Sequence, residues 1–82
     1  MALQKTERIQ IRVILAGLFR IDRFKEDVRS YPAGISVQEV VADLRLPVHL
    51  LGIVVINDAH ASTEDILNNG DVLALFPLLD GG

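Results

Sequence analysis

The residues whose types and spacing could do chemistry lie at the carboxyl end. There Val72-Leu73-Ala74-Leu75-Phe76-Pro77 runs into Leu78-Leu79-Asp80-Gly81-Gly82. Two glycines carry no side chain, so such a tail can thread a narrow channel and lie extended against a partner's backbone. The carbonyl of Gly82 is unhindered to nucleophiles. A carboxylate at that position, activated as an acyl-adenylate, could accept sulfur and become a thiocarboxylate, or be joined to an amine. The sulfur would ride on the carboxyl carbon, so the absence of cysteine is no obstacle. The plainer alternative is a frayed end with no function.

Other active-site patterns are missing. His49 and His60 have no neighbours at metal-ligand spacing and read as loop or strand-edge residues. Ser30, Ser36 and Ser62 lack a nucleophile-elbow context. Gly17, Gly34, Gly52 and Gly70 stand singly near turns and form no phosphate loop. The acidic residues are scattered, and Glu26-Asp27 reads as a charged strand edge that discourages pairing with other chains.

The elements that must hold the tail follow from periodicity. Ile9, Ile11, Val13 and Leu15 alternate with Gln10, Arg12, Ile14 and Ala16, which predicts a strand with one strongly apolar face. Gly17 ends it. Phe24 to Tyr31 reads as an edge-like strand, with a solvated loop as the alternative. After the turn at Pro32-Ala33-Gly34, Ser36 and Glu39 form a capping-box pattern, with Ile35 and Val40 at the hydrophobic-staple positions. Val37, Val40, Val41 and Leu44 then make one buried helical stripe, which Pro47 is expected to stop. Ile53 to Ile56 reads as a strand buried on both faces. Asn57-Asp58 is a turn, His60-Ala61 a brief returning strand, and Ser62 with Asp65 a cap for one helical turn through Leu67. Asn68-Asn69-Gly70-Asp71 is a turn. Val72 to Phe76 is the last strand, with Leu73 and Leu75 on one face and Val72, Ala74 and Phe76 on the other. Pro77 cannot donate a ladder hydrogen bond.

The predicted order, with helices on one side of a mixed sheet, is an α+β arrangement. A hairpin, a helix laid across the sheet and a final strand returning to its middle make a ubiquitin-like β-grasp. The expected division is a domain over residues 1–77 and a tail over 78–82. Eighty-two residues make one small domain, whose core must come from Val, Ile and Leu, since there are three Phe, one Tyr and no Trp. A net charge of −3 argues against a general nucleic-acid binder. No apolar run approaches the length of a membrane span, and no apolar signal core opens the chain, so the expected location is cytoplasmic.

In these segments the chain resembles the MoaD/ThiS family of ubiquitin-like sulfur carriers. The residues that carry the resemblance are the strand Ile9–Leu15, the helix entry Pro32 to Val37 and the strand Gly52 to Asn57. The strongest part is Asn69-Gly-Asp-Val-Leu-Ala-Leu-Phe-Pro77 followed by Gly81-Gly82. Phe76-Pro77 is closer to the small subunits of molybdopterin synthase than to the thiamine-pathway carriers. The resemblance implies that an E1-like, ATP-dependent adenylyltransferase activates Gly82 and that a sulfur donor system converts it to a thiocarboxylate. The loaded tail would then enter a sulfur-accepting enzyme, the large synthase subunit in the molybdopterin case. The carrier would hold no cofactor of its own, and ATP would be used by the activating partner. Phe76, Pro77, Leu78, Leu79, Asp80 and Gly81 would bind the partners. For Phe76 the competing reading is core packing.

The chain departs from the family pattern at three points. Leu78 stands where the molybdopterin branch often has a second proline. Asp80 precedes the glycines where a small residue is usual, and its charge favours a basic channel. The short helix that often follows the first strand is not evident in Gly17 to Phe24. The other readings are a ubiquitin-like modifier joined through Gly82 to lysine, a thiamine-pathway carrier, and an interaction module whose tail is irrelevant. An independent enzyme is disfavoured by the missing nucleophile and metal constellations.

Overall fold

The computed structural model describes residues 7–78. Strands β1 (Arg8–Leu15) and β2 (Glu26–Pro32) pair antiparallel. Helix α1 (Val37–Asp43) follows, then β3 (Leu51–Ile56), β4 (Ala59–Ala61) and β5 (Val72–Pro77). One mixed sheet has the order β2-β1-β5-β3-β4. The last strand lies in the middle, parallel to β1 and antiparallel to β3. This is the expected β-grasp.

The alternation in β1 does what the sequence predicts. Ile9, Ile11, Val13 and Leu15 are buried beneath α1, together with Leu73 and Leu75 of β5, Val54 of β3 and Val37, Val40 and Val41 of the helix. The capping box forms: the Glu39 amide donates to Ser36 Oγ at 3.2 Å, and the Ser36 amide donates to Glu39 Oε1 at 2.9 Å. Two further amides at the helix start, Val37 and Gln38, donate to the carbonyls of Asp65 and Thr63 at 3.0 and 2.8 Å. The helix entry is thereby stitched to the loop before β5.

The structure corrects four expectations. The helix ends at Asp43, before Pro47. Its stop is a Schellman motif: Leu46 donates to Val41 O, Arg45 donates to Ala42 O, and Arg45 takes the left-handed conformation at φ 57°. That position usually falls to glycine. Here the Arg23 guanidinium reaches across the chain and donates to the carbonyls of Leu44 and Arg45 at 3.3 and 3.0 Å, fixing the turn. Secondly, Ser62 to Leu67 is a turn and an extended bridge rather than a helical turn. The Asp65 carboxylate does cap Ser62, but the carbonyls of Thr63 and Asp65 are drawn to the start of α1. Thirdly, a 3-10 turn at Gly17–Arg20 follows β1 and buries Phe19 completely, where the sequence suggested no helix. Fourthly, β3 is not buried on both faces. Val54 is buried, yet Ile53 is 48% exposed, because helix α1 covers one side of the sheet and leaves the other open.

Candidate functional site

The site is the carboxyl end of β5 and the open sheet face beside it. Alternation along β5 sends Leu73 and Leu75 into the core and leaves Phe76 on the open face, 38% exposed. Core packing is therefore not the role of Phe76. In the ladder its cross-strand neighbour is Ile53, and Ala74 faces Val55 on one side and Ile14 on the other. Leu78, just past the strand, is 51% exposed. An apolar band thus covers the β5–β3 half of the open face. The β1–β2 half is mainly polar, with Arg12 paired to Glu26 and Arg8 donating to the Ser30 carbonyl at 3.0 Å, although Val28, opposite Arg12, is half exposed there. A band of this kind bordered by charge is the pattern of a partner-binding surface. Ile53 was concealed in the sequence by the reading of β3 as doubly buried. The signal for it was the one main helix the sequence offers, which can cover only one face of a sheet.

Of the tail residues foreseen as partner contacts, Phe76, Pro77 and Leu78 are brought together at this corner. Leu79, Asp80, Gly81 and Gly82 lie outside the described residues. Ser36 is the helix cap, as expected. His49 and His60 are exposed, in separate elements, and among the described residues no group of His, Asp and Glu is arranged to hold a metal. No helix among them is long and apolar enough to cross a membrane.

A second polar cluster lies between β2 and α1, in an open groove of about 480 Å³ lined by Arg8, Asp27, Arg29, Ser30, Tyr31 and Asp43. Its groups satisfy one another. The Tyr31 hydroxyl donates to Asp43 at 2.9 Å and accepts from Arg29 Nε at 3.2 Å, and Arg29 also pairs with Asp27 at 3.1 Å. Burial, reinforced by the bond to Asp43, raises the Tyr31 phenol above its ordinary value. The arrangement ties the helix to the edge strand. Because the folded phenol holds its proton more tightly, its contribution to stability is complete below the ordinary tyrosine range and declines as pH rises through and above it. Tyr31→Phe should therefore cost about 1 kcal/mol at neutral pH. It should also remove part of the stability loss above about pH 10. Tyr31 is the only tyrosine, so denaturant unfolding of both proteins across that range reads the effect directly. Parallel pH profiles for the two would contradict it.

The sheet order, the helix laid across it and the central last strand define a ubiquitin-like β-grasp protein. The chain belongs to the ThiS family, whose model matches residues 13–82. Among solved structures it is similar to a protein designated molybdopterin converting factor, subunit 1, from Pyrococcus furiosus. That match has a TM-score of 0.71 and 19% identity, and covers 87% of this chain and 99% of that one. It is also similar to the HVO 2177 protein of Haloferax volcanii, with a TM-score of 0.77 and 17% identity, over 100% of this chain and 94% of that one. At these identities the two likenesses speak to the fold. No curated protein sequence matches. Family membership supports a sulfur-carrier role.

Proposed function

We propose that this chain carries sulfur as a thiocarboxylate on Gly82 and delivers it to an enzyme of cofactor synthesis, of the molybdopterin type. The observation that carries the reading is the junction of two features at one corner. The apolar band of Phe76, Ile53 and Leu78 borders the point where β5 releases the chain toward Gly81-Gly82. A partner that docks on the band finds the tail at its edge. The preference for molybdopterin rests on Phe76-Pro77 and on the name of the Pyrococcus neighbour.

In the proposed sequence the Gly82 carboxylate attacks the α-phosphorus of ATP on an E1-like adenylyltransferase, releasing pyrophosphate. A sulfide-level nucleophile from a sulfur donor system then attacks the acyl carbon and AMP departs, leaving the thiocarboxylate. The tail next inserts into the large subunit of a synthase, where sulfur leaves and the carboxylate is regenerated by water. The carrier contributes the acyl group and the docking face, with the β-grasp domain as the body and the tail that ends in Gly81-Gly82 as the arm. Catalytic groups, and the ATP, belong to the partners.

The test is ATP–pyrophosphate exchange by an E1-like enzyme with this chain as acyl substrate. Exchange should require the chain. Phe76→Ser and Ile53→Ser should each raise the KM for it by roughly ten- to a hundredfold, the range of an apolar interface anchor, with kcat little changed and the fold intact. A KM indifferent to both substitutions would contradict docking on this face, and exchange that ignores the chain would contradict the reading itself.

A further inference from the structure

The ladder between β3 and β5 breaks at one place. Leu51 pairs with Pro77 and Ile53 pairs with Phe76, so Gly52 is an extra residue, bulged out of β3. Opposite it Pro77 has no N–H to donate. The ladder closes again one step further on, where the Leu78 amide donates to the Leu50 carbonyl. The chain is therefore anchored through Leu78, one residue beyond the division expected at Pro77. The anchor depends on a missing side chain. A Cβ on Gly52 would lie 2.9 Å from both Leu78 Cα and Leu78 N, and 3.0 Å from the Pro77 carbonyl oxygen. These are backbone atoms and cannot swing aside. From the other flank, Gly17 at φ 56° sits under the Pro77 ring, where a Cβ would meet Cγ at 3.2 Å.

We infer that Gly52, with Pro77 as its counterpart, is a positioning residue for tail chemistry: it sets the point and direction from which the chain leaves the sheet. The inference rests on the carrier reading above and adds to it a limit on reach. From Leu78, the four residues to Gly82 can span at most about 14 Å. An enzyme that acts on Gly82 must therefore bring its reacting centre within that distance of a fixed point beside Phe76. With so short an arm, an error at the launch point is carried to the reacting carbon.

The experiment loads the wild type, Gly52→Ala, a deletion of Leu79, and Leu79→Ala, each with an E1-like adenylating enzyme, ATP and sulfide. It follows loading by intact mass and the Leu78 amide by hydrogen exchange. For Gly52→Ala we expect the Leu78 amide to lose protection, and kcat for loading to fall by about ten- to a hundredfold, the scale set by displacements near 1 Å. The KM for the carrier should change less than it does for Phe76→Ser or Ile53→Ser, since those two anchors keep their cross-strand pairing. The Leu79 deletion leaves the sheet intact, shortens the arm by about 3.5 Å and should fall similarly, whereas Leu79→Ala keeps the length and should fall much less. The deletion decides the matter if Gly52→Ala does not fold. A Gly52→Ala protein that melts earlier but loads at the wild-type kcat while folded would overturn the inference, because Gly52 would then be structural only. So would a Leu79 deletion that loads normally by peeling Leu78 from Leu50. Wild type that is not loaded at all would overturn the carrier reading, and this inference with it.

Discussion

Adding one residue after Gly82 should abolish sulfur loading and leave the melting curve unchanged. The added peptide bond turns the Gly82 carboxyl into an amide carbonyl, which cannot attack ATP. The new carboxylate is displaced by about 3.5 Å along the chain. An activating centre that tolerates only small misplacements loses on the order of a hundredfold per ångström, so the loss should be complete by mass spectrometry. Among the described residues no buried group changes, because their fourteen core residues lie between Ile9 and Leu75. Loading that survives the extension would show that the reacting group is not the one assigned.

Val41→Asp should do the reverse, removing the fold rather than the chemistry. Val41 is 2% exposed on the inner face of α1, packed in the core with Val37, Val40 and Leu46. Among the described residues none of the buried side chains is charged, so the carboxylate would find no built partner there. An uncompensated buried charge costs about 3–5 kcal/mol, a large share of the stability of a domain this small. The midpoint of thermal unfolding should fall by roughly 20 °C. Ala42→Asp, on the exposed face one residue away, should cost less than about 1 kcal/mol. Circular-dichroism melts of the pair check the assignment of faces, and equal melts would contradict it.

Much of the fold was legible because its signals are local. The alternation of Ile9, Ile11, Val13 and Leu15, the Ser36–Glu39 box and the parity of Leu73 against Phe76 each depend on neighbours a few residues away. What escaped depends on distant partners. Arg45 ends the helix in a conformation unusual for arginine because Arg23, 22 residues earlier, bonds its carbonyl. Phe19 lies beside a charge-rich stretch, and its burial depends on the turn that folds it under the sheet. Ile53 lies in a run of β-branched residues whose exposure is decided by how many layers cover the sheet. The candidate site divides in the same way. Gly81-Gly82 suggested the tail chemistry proposed above, but the bulge at Gly52 and the Leu78 anchor emerge only when β3 is set against β5.

The most direct test of the central claim is the intact mass of the protein after incubation with an E1-like adenylating enzyme, ATP and a sulfur source. The account predicts an increase equal to replacing one oxygen by one sulfur, located on Gly82 and lost when Gly82 is deleted. An unchanged mass, with the enzyme active on its own carrier, would contradict it. Recovery of Gly81-Gly82 joined to lysine side chains in place of a thiocarboxylate would likewise contradict it, in favour of a protein modifier.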